Sequence, residues 1–155
     1  MLQTALELDF ADGTYLFDLK LPQLAELQEK RKTGVFAIYG RVMRGRTVID
    51  GTPFAFAEEG QSFAEDLFEV IRLALIGGGK GMVDGREISV NAMTARTLVE
   101  RYCHSAPLRD SWNIAAAILL ARVEGYDPPK AEPPKAAAPD TATQSTSETP
   151  SPPAP

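Results

Sequence analysis

One cysteine, one histidine and one tryptophan stand in a chain of 155 residues. A single cysteine, Cys103, cannot form an intrachain disulfide, which excludes a disulfide-stapled secreted domain. With one histidine, His104, and no second cysteine, the residues of a structural zinc site are missing. Basic residues are also short: 16 Lys and Arg against 21 Asp and Glu leave a formal charge of −5 and a pI near 4.9. Such a balance lacks the basic footprint expected of a nucleic-acid-binding protein. No apolar run reaches the roughly 20 residues of a bilayer-spanning helix. The opening MLQTALELDFADG has no basic segment followed by an apolar one, so no signal peptide is expected. The expectation is a cytoplasmic protein with no membrane segment, metal, cofactor or nucleic-acid partner.

What is present is enough for one folded domain: 44% of the residues are hydrophobic. The most continuously apolar stretch lies within Pro107 to Gly125, where Trp112 to Ala121 reads WNIAAAILLA. A helix apolar on nearly every side must be covered on nearly every side, by its own domain or by a partner.

In chain order, residues 4–20, TALELDFADGTYLFDLK, predict a β-hairpin turning at Asp12-Gly13. Phe10 would then face Tyr15, Leu8 would face Phe17 and Leu6 would face Leu19, with all six side chains on one face. Pro22 opens a helix to Arg31, with Glu26 and Lys30 in favourable i,i+4 spacing. Val35 to Met43 reads as a second short helix, weakened at Gly40, with a buried strand over VFAIY as the alternative. Arg44 to Gln61 reads as a loop with a small hairpin at Asp50-Gly51, in which Pro53 must sit on an edge.

Ser62 and Glu65 have capping-box spacing and open a helix. Phe63, Leu67, Val70, Ile71 and Ala74 form its apolar stripe, broadened by Phe68, Leu75 and Ile76. Glu65, Asp66, Glu69 and Arg72 form its wet face, and Gly77-Gly78-Gly79 ends it. Lys80 to Val90 reads as a loop with a turn at Asp84-Gly85. Ser89 or Asn91 caps a helix to about Cys103, buried along Ala95, Leu98, Val99 and Tyr102. Ser105 caps the last helix, which stops at Gly125. All but three of the twelve prolines lie in residues 127–155, with no aromatic or branched aliphatic residue. That composition predicts a disordered tail. The expected architecture is α+β, mostly α: a hairpin packed on a small helical bundle over residues 1–126, followed by the tail.

No catalytic constellation emerges. GGGKG, Gly77 to Gly81, lacks the first glycine and the final Ser or Thr of a phosphate loop, and it follows a helix. Cys103 and His104 are adjacent on a helix and point about 100° apart, which separates a nucleophile from its base. The carboxylates Glu65, Asp66 and Glu69 read as a solvated face. The two C-terminal helices mimic a helix-turn-helix, but the second presents Trp, Ile, Ala and Leu where base-reading residues belong. The chain is not expected to be an enzyme.

Three stretches carry a resemblance: FEVIRLALIGGG (Phe68 to Gly79), TARTLVERY (Thr94 to Tyr102) and APLRDSWNIAAAILLARVEG (Ala106 to Gly125). With the opening hairpin and the Leu-Ala-Glu-Leu helix after it, the chain resembles the small proteins of gene transfer agent and prophage tail clusters. These are described as tail tube proteins or as tail assembly chaperones. The resemblance covers most of residues 4–126; residues 46–61 look like an insertion, and the Pro-rich tail is longer than the family pattern. It implies a non-catalytic role in tail morphogenesis. As a chaperone the protein would coat the helical tape measure protein until tail tube subunits replace it; as a tube protein it would be a permanent ring subunit. Too little sheet for a tube is expected from one hairpin, which favours the chaperone, acting alone or as a homo-oligomer. A DNA-associated regulator is the remote alternative.

The partner-binding candidates follow. Trp112, Ala115, Ala116 and Leu119 should pack on Leu98 and Tyr102. Ile114, Ile118 and Ala121 then face away; the hairpin or the Phe63–Ile76 helix should cover part of that side, and the rest offers partner surface, joined by Phe68 and Ile76.

Overall fold

The computed structural model describes residues 1–54 and 62–128. In chain order the elements are β1 (Leu6–Phe10), β2 (Gly13–Phe17), α1 (Leu21–Arg31), α2 (Val35–Arg44), β3 (Thr47–Ile49), β4 (Thr52–Phe54), α3 (Ala64–Gly78), β5 (Lys80–Val83), β6 (Arg86–Ser89), α4 (Ala92–Tyr102) and α5 (Leu108–Glu124). The class is α+β and mostly α, with an N-terminal antiparallel hairpin, as the patterning predicts. The expected insertion extends into residues 55–61, and the expected tail beyond Pro128; both lie outside the described residues.

The hairpin register is displaced by two residues. Phe10 pairs with Gly13, Leu8 with Tyr15 and Leu6 with Phe17. The turn is Ala11-Asp12, with Ala11 at φ 54°. Gly13 is a strand residue instead: a Cβ there would collide with the Met82 carbonyl on β5. Because the slip is even, the apolar face is preserved, and Phe10, Tyr15, Phe17 and Leu19 are all buried. A left-handed alanine carries a steric cost that glycine avoids, partly offset by the entropy glycine adds to the unfolded chain. Ala11→Gly should therefore stabilise the protein by about 0.5–1 kcal/mol, read as a raised urea midpoint at unchanged m-value.

Residues 80–90 form a second hairpin, not a loop. Asp84 and Gly85 make its turn with φ of 50° and 74°. Its β5 strand joins β2, giving an antiparallel sheet of order β1-β2-β5-β6. Four-residue strands containing Gly81 show too few alternations for the period to register in sequence. The small hairpin at Asp50-Gly51 forms as expected, pairing Val48 with Pro53 in a separate two-stranded sheet. Val35 to Arg44 is helical, not a strand; its buried residues Ile38 and Val42 recur at helical spacing.

The centre of the domain is α3, which meets α5, β2, α4, α1 and α2. Val70, Ile71, Leu73, Ala74 and Leu75 are completely buried along it. It begins one residue later than the Ser62–Glu65 spacing implies. Phe63 is the N-cap, and Asp66 accepts the Phe63 N–H at 3.1 Å; phenylalanine has no acceptor to return the bond. Asn91, of the two candidates, caps α4 by accepting the Thr94 N–H at 2.8 Å. Pro107 stands at the N-cap of α5 in place of Ser105, and Gly125 ends that helix as expected.

Gly77 and Gly78 do more than end a helix. A Cβ on either would overlap a β2-side backbone carbonyl, Asp18 for Gly77 and Leu16 for Gly78. The Asp18 N–H donates to the Ala74 carbonyl at 2.9 Å, bolting the chain that leaves β2 to the end of α3. Missing side chains allow the two backbones to touch.

Candidate interaction surfaces

The apolar α5 helix finds its cover inside the domain. It packs mainly on α3 and α2 rather than on α4, and the Trp112 indole N–H donates to the Val42 carbonyl at 2.7 Å. Ile118 and Ala121, expected to face a partner, are 2% and 3% exposed, and Ile114 is half-buried against the core. The physical reason is the position of α3: a central helix and a second neighbour, α2, together occupy the sides that a two-helix packing would leave open. Leu108 and Leu120 are the large apolar residues of this helix that reach solvent, at 52% and 45%. Ile118→Asp should thus unfold the domain rather than merely weaken partner binding. Burying an unpaired carboxylate at this site is expected to cost about 4 kcal/mol or more, visible as loss of the cooperative thermal transition by circular dichroism.

Phe68 and Ile76 are half-buried and packed on the core. Phe68 also lines a groove of about 500 Å³ between α3 and α4, together with Met93, Arg72, Arg96 and His104. The His104 ring lies 4.8 Å from that of Phe68. The groove walls are closed by internal ion pairs: Arg72 with Glu69 at 2.7 Å, and Arg96 with Glu100 at 2.8 Å. The Arg96 hydrogen bond holds the Glu100 carboxyl below its ordinary range. Cys103 points inward and is buried, and burial pushes its thiol pKa up. His104 is exposed. The two therefore face opposite environments and do not form a nucleophile–base pair.

Asp66 departs most from expectation. It is completely buried, not part of a solvated face. Arg31 Nε donates to its Oδ1 at 2.6 Å; Arg41 donates through Nε to Oδ2 at 2.8 Å and through a terminal nitrogen to Oδ1 at 2.6 Å. One carboxylate thus joins the last turn of α1, α2 and the first turn of α3. The Phe63 ring lies about 6 Å from both guanidinium carbons, at 6.0 Å from Arg31 and 5.7 Å from Arg41. The partners are 35 and 25 residues away in sequence, so no local pattern reveals them. Three guanidinium bonds and the Phe63 N–H occupy the roughly four acceptor positions of this carboxylate, and the cluster is a structural clamp.

GGGKG is divided between the two backbone contacts of Gly77 and Gly78, the α3 C-cap at Gly79, and β5. No phosphate cradle results. No group of three or more metal-ligating side chains occurs among the described residues, and no described helix is long and apolar enough to cross a membrane.

Apolar exposure among the described residues is scattered over single side chains, among them Phe36 at 73%, Met93 at 72%, Leu21 at 70%, Phe63 at 57% and Leu108 at 52%. Phe63 and Leu108 lie together, at the paired starts of α3 and α5, where they line a small pocket with Trp112. No protein-family model matches the chain, and the comparisons with curated proteins and with solved structures found no match.

Proposed function

We propose that the protein is a non-enzymatic tail assembly chaperone of a phage-like particle, a gene transfer agent or prophage, and that it holds the tape measure protein before tail tube subunits replace it. The observation that carries this reading is the ordered set of three family-like stretches. They correspond to α3, α4 and α5, the central helix and two of the helices packed on it. An acidic body that displays separate apolar side chains such as Phe36, Met93, Phe63 and Leu108 suits reversible capture of an apolar helix. Co-expression tests it. The tape measure should become soluble and co-purify with this protein; a tape measure equally insoluble with and without it would overturn the reading.

The tube-subunit alternative gains from one observation. The sheet has four strands, not two, and β1 and β6 stand at its edges, where a neighbouring subunit can add strands. The strands are only four or five residues long, which keeps the chaperone ahead. Mass spectrometry of purified particles separates the two: a chaperone is absent from finished tails, and a tube subunit is abundant.

A further inference from the structure

The first turns of α3 and α5 enclose a pocket of about 150 Å³. That is too small for a typical small-molecule site, which takes roughly 300 Å³ or more, but it accommodates one large apolar side chain. Phe63, Leu67, Leu108 and Trp112 give it apolar walls, and Arg46 and Arg109 also line it. Arg46 lies over the Trp112 ring with its guanidinium carbon 5.2 Å from the centroid. Ser62 completes the lining, and its buried hydroxyl has no hydrogen-bond partner among the described residues. Both charged residues of the lining are arginines, on a chain with net charge −5; Arg109 also lies beside Asp110, its Nε 3.4 Å from that carboxylate, in an exposed pair.

We infer that this pocket docks an acidic segment of a partner protein. The segment inserts one leucine- or phenylalanine-sized side chain between Phe63, Leu108 and Trp112 and sets carboxylates against Arg46 and Arg109. Charge complementarity selects the flanks and the apolar walls select the anchor. The N–H groups in the first turns of both helices favour the same sign of charge. A nucleic acid strand fits less well. It needs a continuous basic track and successive stacking platforms, whereas this pocket offers two arginines and a single indole. The inference goes beyond the chaperone reading and does not require the partner to be a tape measure.

Trp112 is the chain's only tryptophan, so emission excited beyond the tyrosine absorption band reports on this one side chain. Titrating the full chain with short synthetic peptides tests the proposal, using a central Leu flanked by Glu, the same Leu flanked by Lys, and a central Ala flanked by Glu. The Glu-flanked Leu peptide should shift Trp112 emission and bind about tenfold more tightly than either control, less so at high salt. Arg46→Glu should reverse the preference between Glu and Lys flanks. Leu108→Ser, at an exposed position, should weaken binding without moving the melting temperature. Equal binding of the Glu- and Lys-flanked peptides, no emission change with any peptide, or a shift produced by an oligonucleotide instead would overturn it.

Discussion

Asp66→Ala should destabilise the domain by about 3–5 kcal/mol, the range found when one member of a buried ion pair is removed. The substitution deletes more than a salt bridge. It leaves the guanidiniums of Arg31 and Arg41, both more than four-fifths buried, facing each other with no countercharge. It also removes the acceptor for the Phe63 N–H at the start of α3. Urea denaturation should show a lower midpoint with an unchanged m-value. The origin of the loss is separable from its size. Replacing Asp66, Arg31 and Arg41 together by Leu, Met and Met should recover most of the stability, because the desolvation of all three charges disappears along with their attraction. If the single variant costs less than about 1 kcal/mol, the cluster behaves as a screened surface pair and does not clamp the three helices.

Gly77→Ala should be nearly as damaging, at about 3 kcal/mol or more, and its sign is the informative part. Glycine to alanine inside a helix ordinarily gains up to about 1 kcal/mol. Here the new methyl would overlap the Asp18 carbonyl, and that segment cannot retreat without breaking the Asp18 to Ala74 hydrogen bond. Overpacking against backbone has no flexible side chain to absorb it. Gly40→Ala supplies the contrast. A Cβ at Gly40 in α2 meets only the end of the Arg44 side chain, at 3.5 Å, so this variant should gain about 0.5–1 kcal/mol. Paired thermal melts should move in opposite directions. Equal stabilisation by both substitutions would mean that the sheet does not press on the end of α3.

The elements legible in sequence were those with long periodic patterns or strong punctuation. Pro22, the stripe Leu67-Val70-Ile71-Ala74, Asn91 and Gly125 each mark a helix through local chemistry that survives in the fold. The hairpin was legible in kind but not in register, since Asp12-Gly13 is a good turn signal and Gly13 is required one strand further on, against Met82. The hairpin at Asp84-Gly85 was hidden for a related reason: Lys80 to Ser89 gains strand identity only by pairing β5 with β2, some 66 residues away at Gly81 and Tyr15.

The apolar run from Trp112 to Ala121, read alone, has two fates, core or partner surface. Local sequence cannot choose between them, because both bury the same side chains. The choice depends on whether other helices are available to cover each side, and α3 and α2 take Ile118, Ala121 and Trp112 into the domain. Asp66 shows the same division from the polar side. Its place in the first turn of a helix is written in sequence, but its role as the residue that accepts the N-cap N–H, and its burial by guanidiniums delivered from α1 and α2, are not. Sequence by itself determined which segments are helices and roughly where each one ends, since propensity, capping and periodicity act over a few residues, although Phe63 and Pro107 take the N-caps that Ser62 and Ser105 promised. The tertiary structure alone decided which apolar face is core, which carboxylate is clamped and which glycines are contacts, because each of those depends on groups brought together from distant parts of the chain.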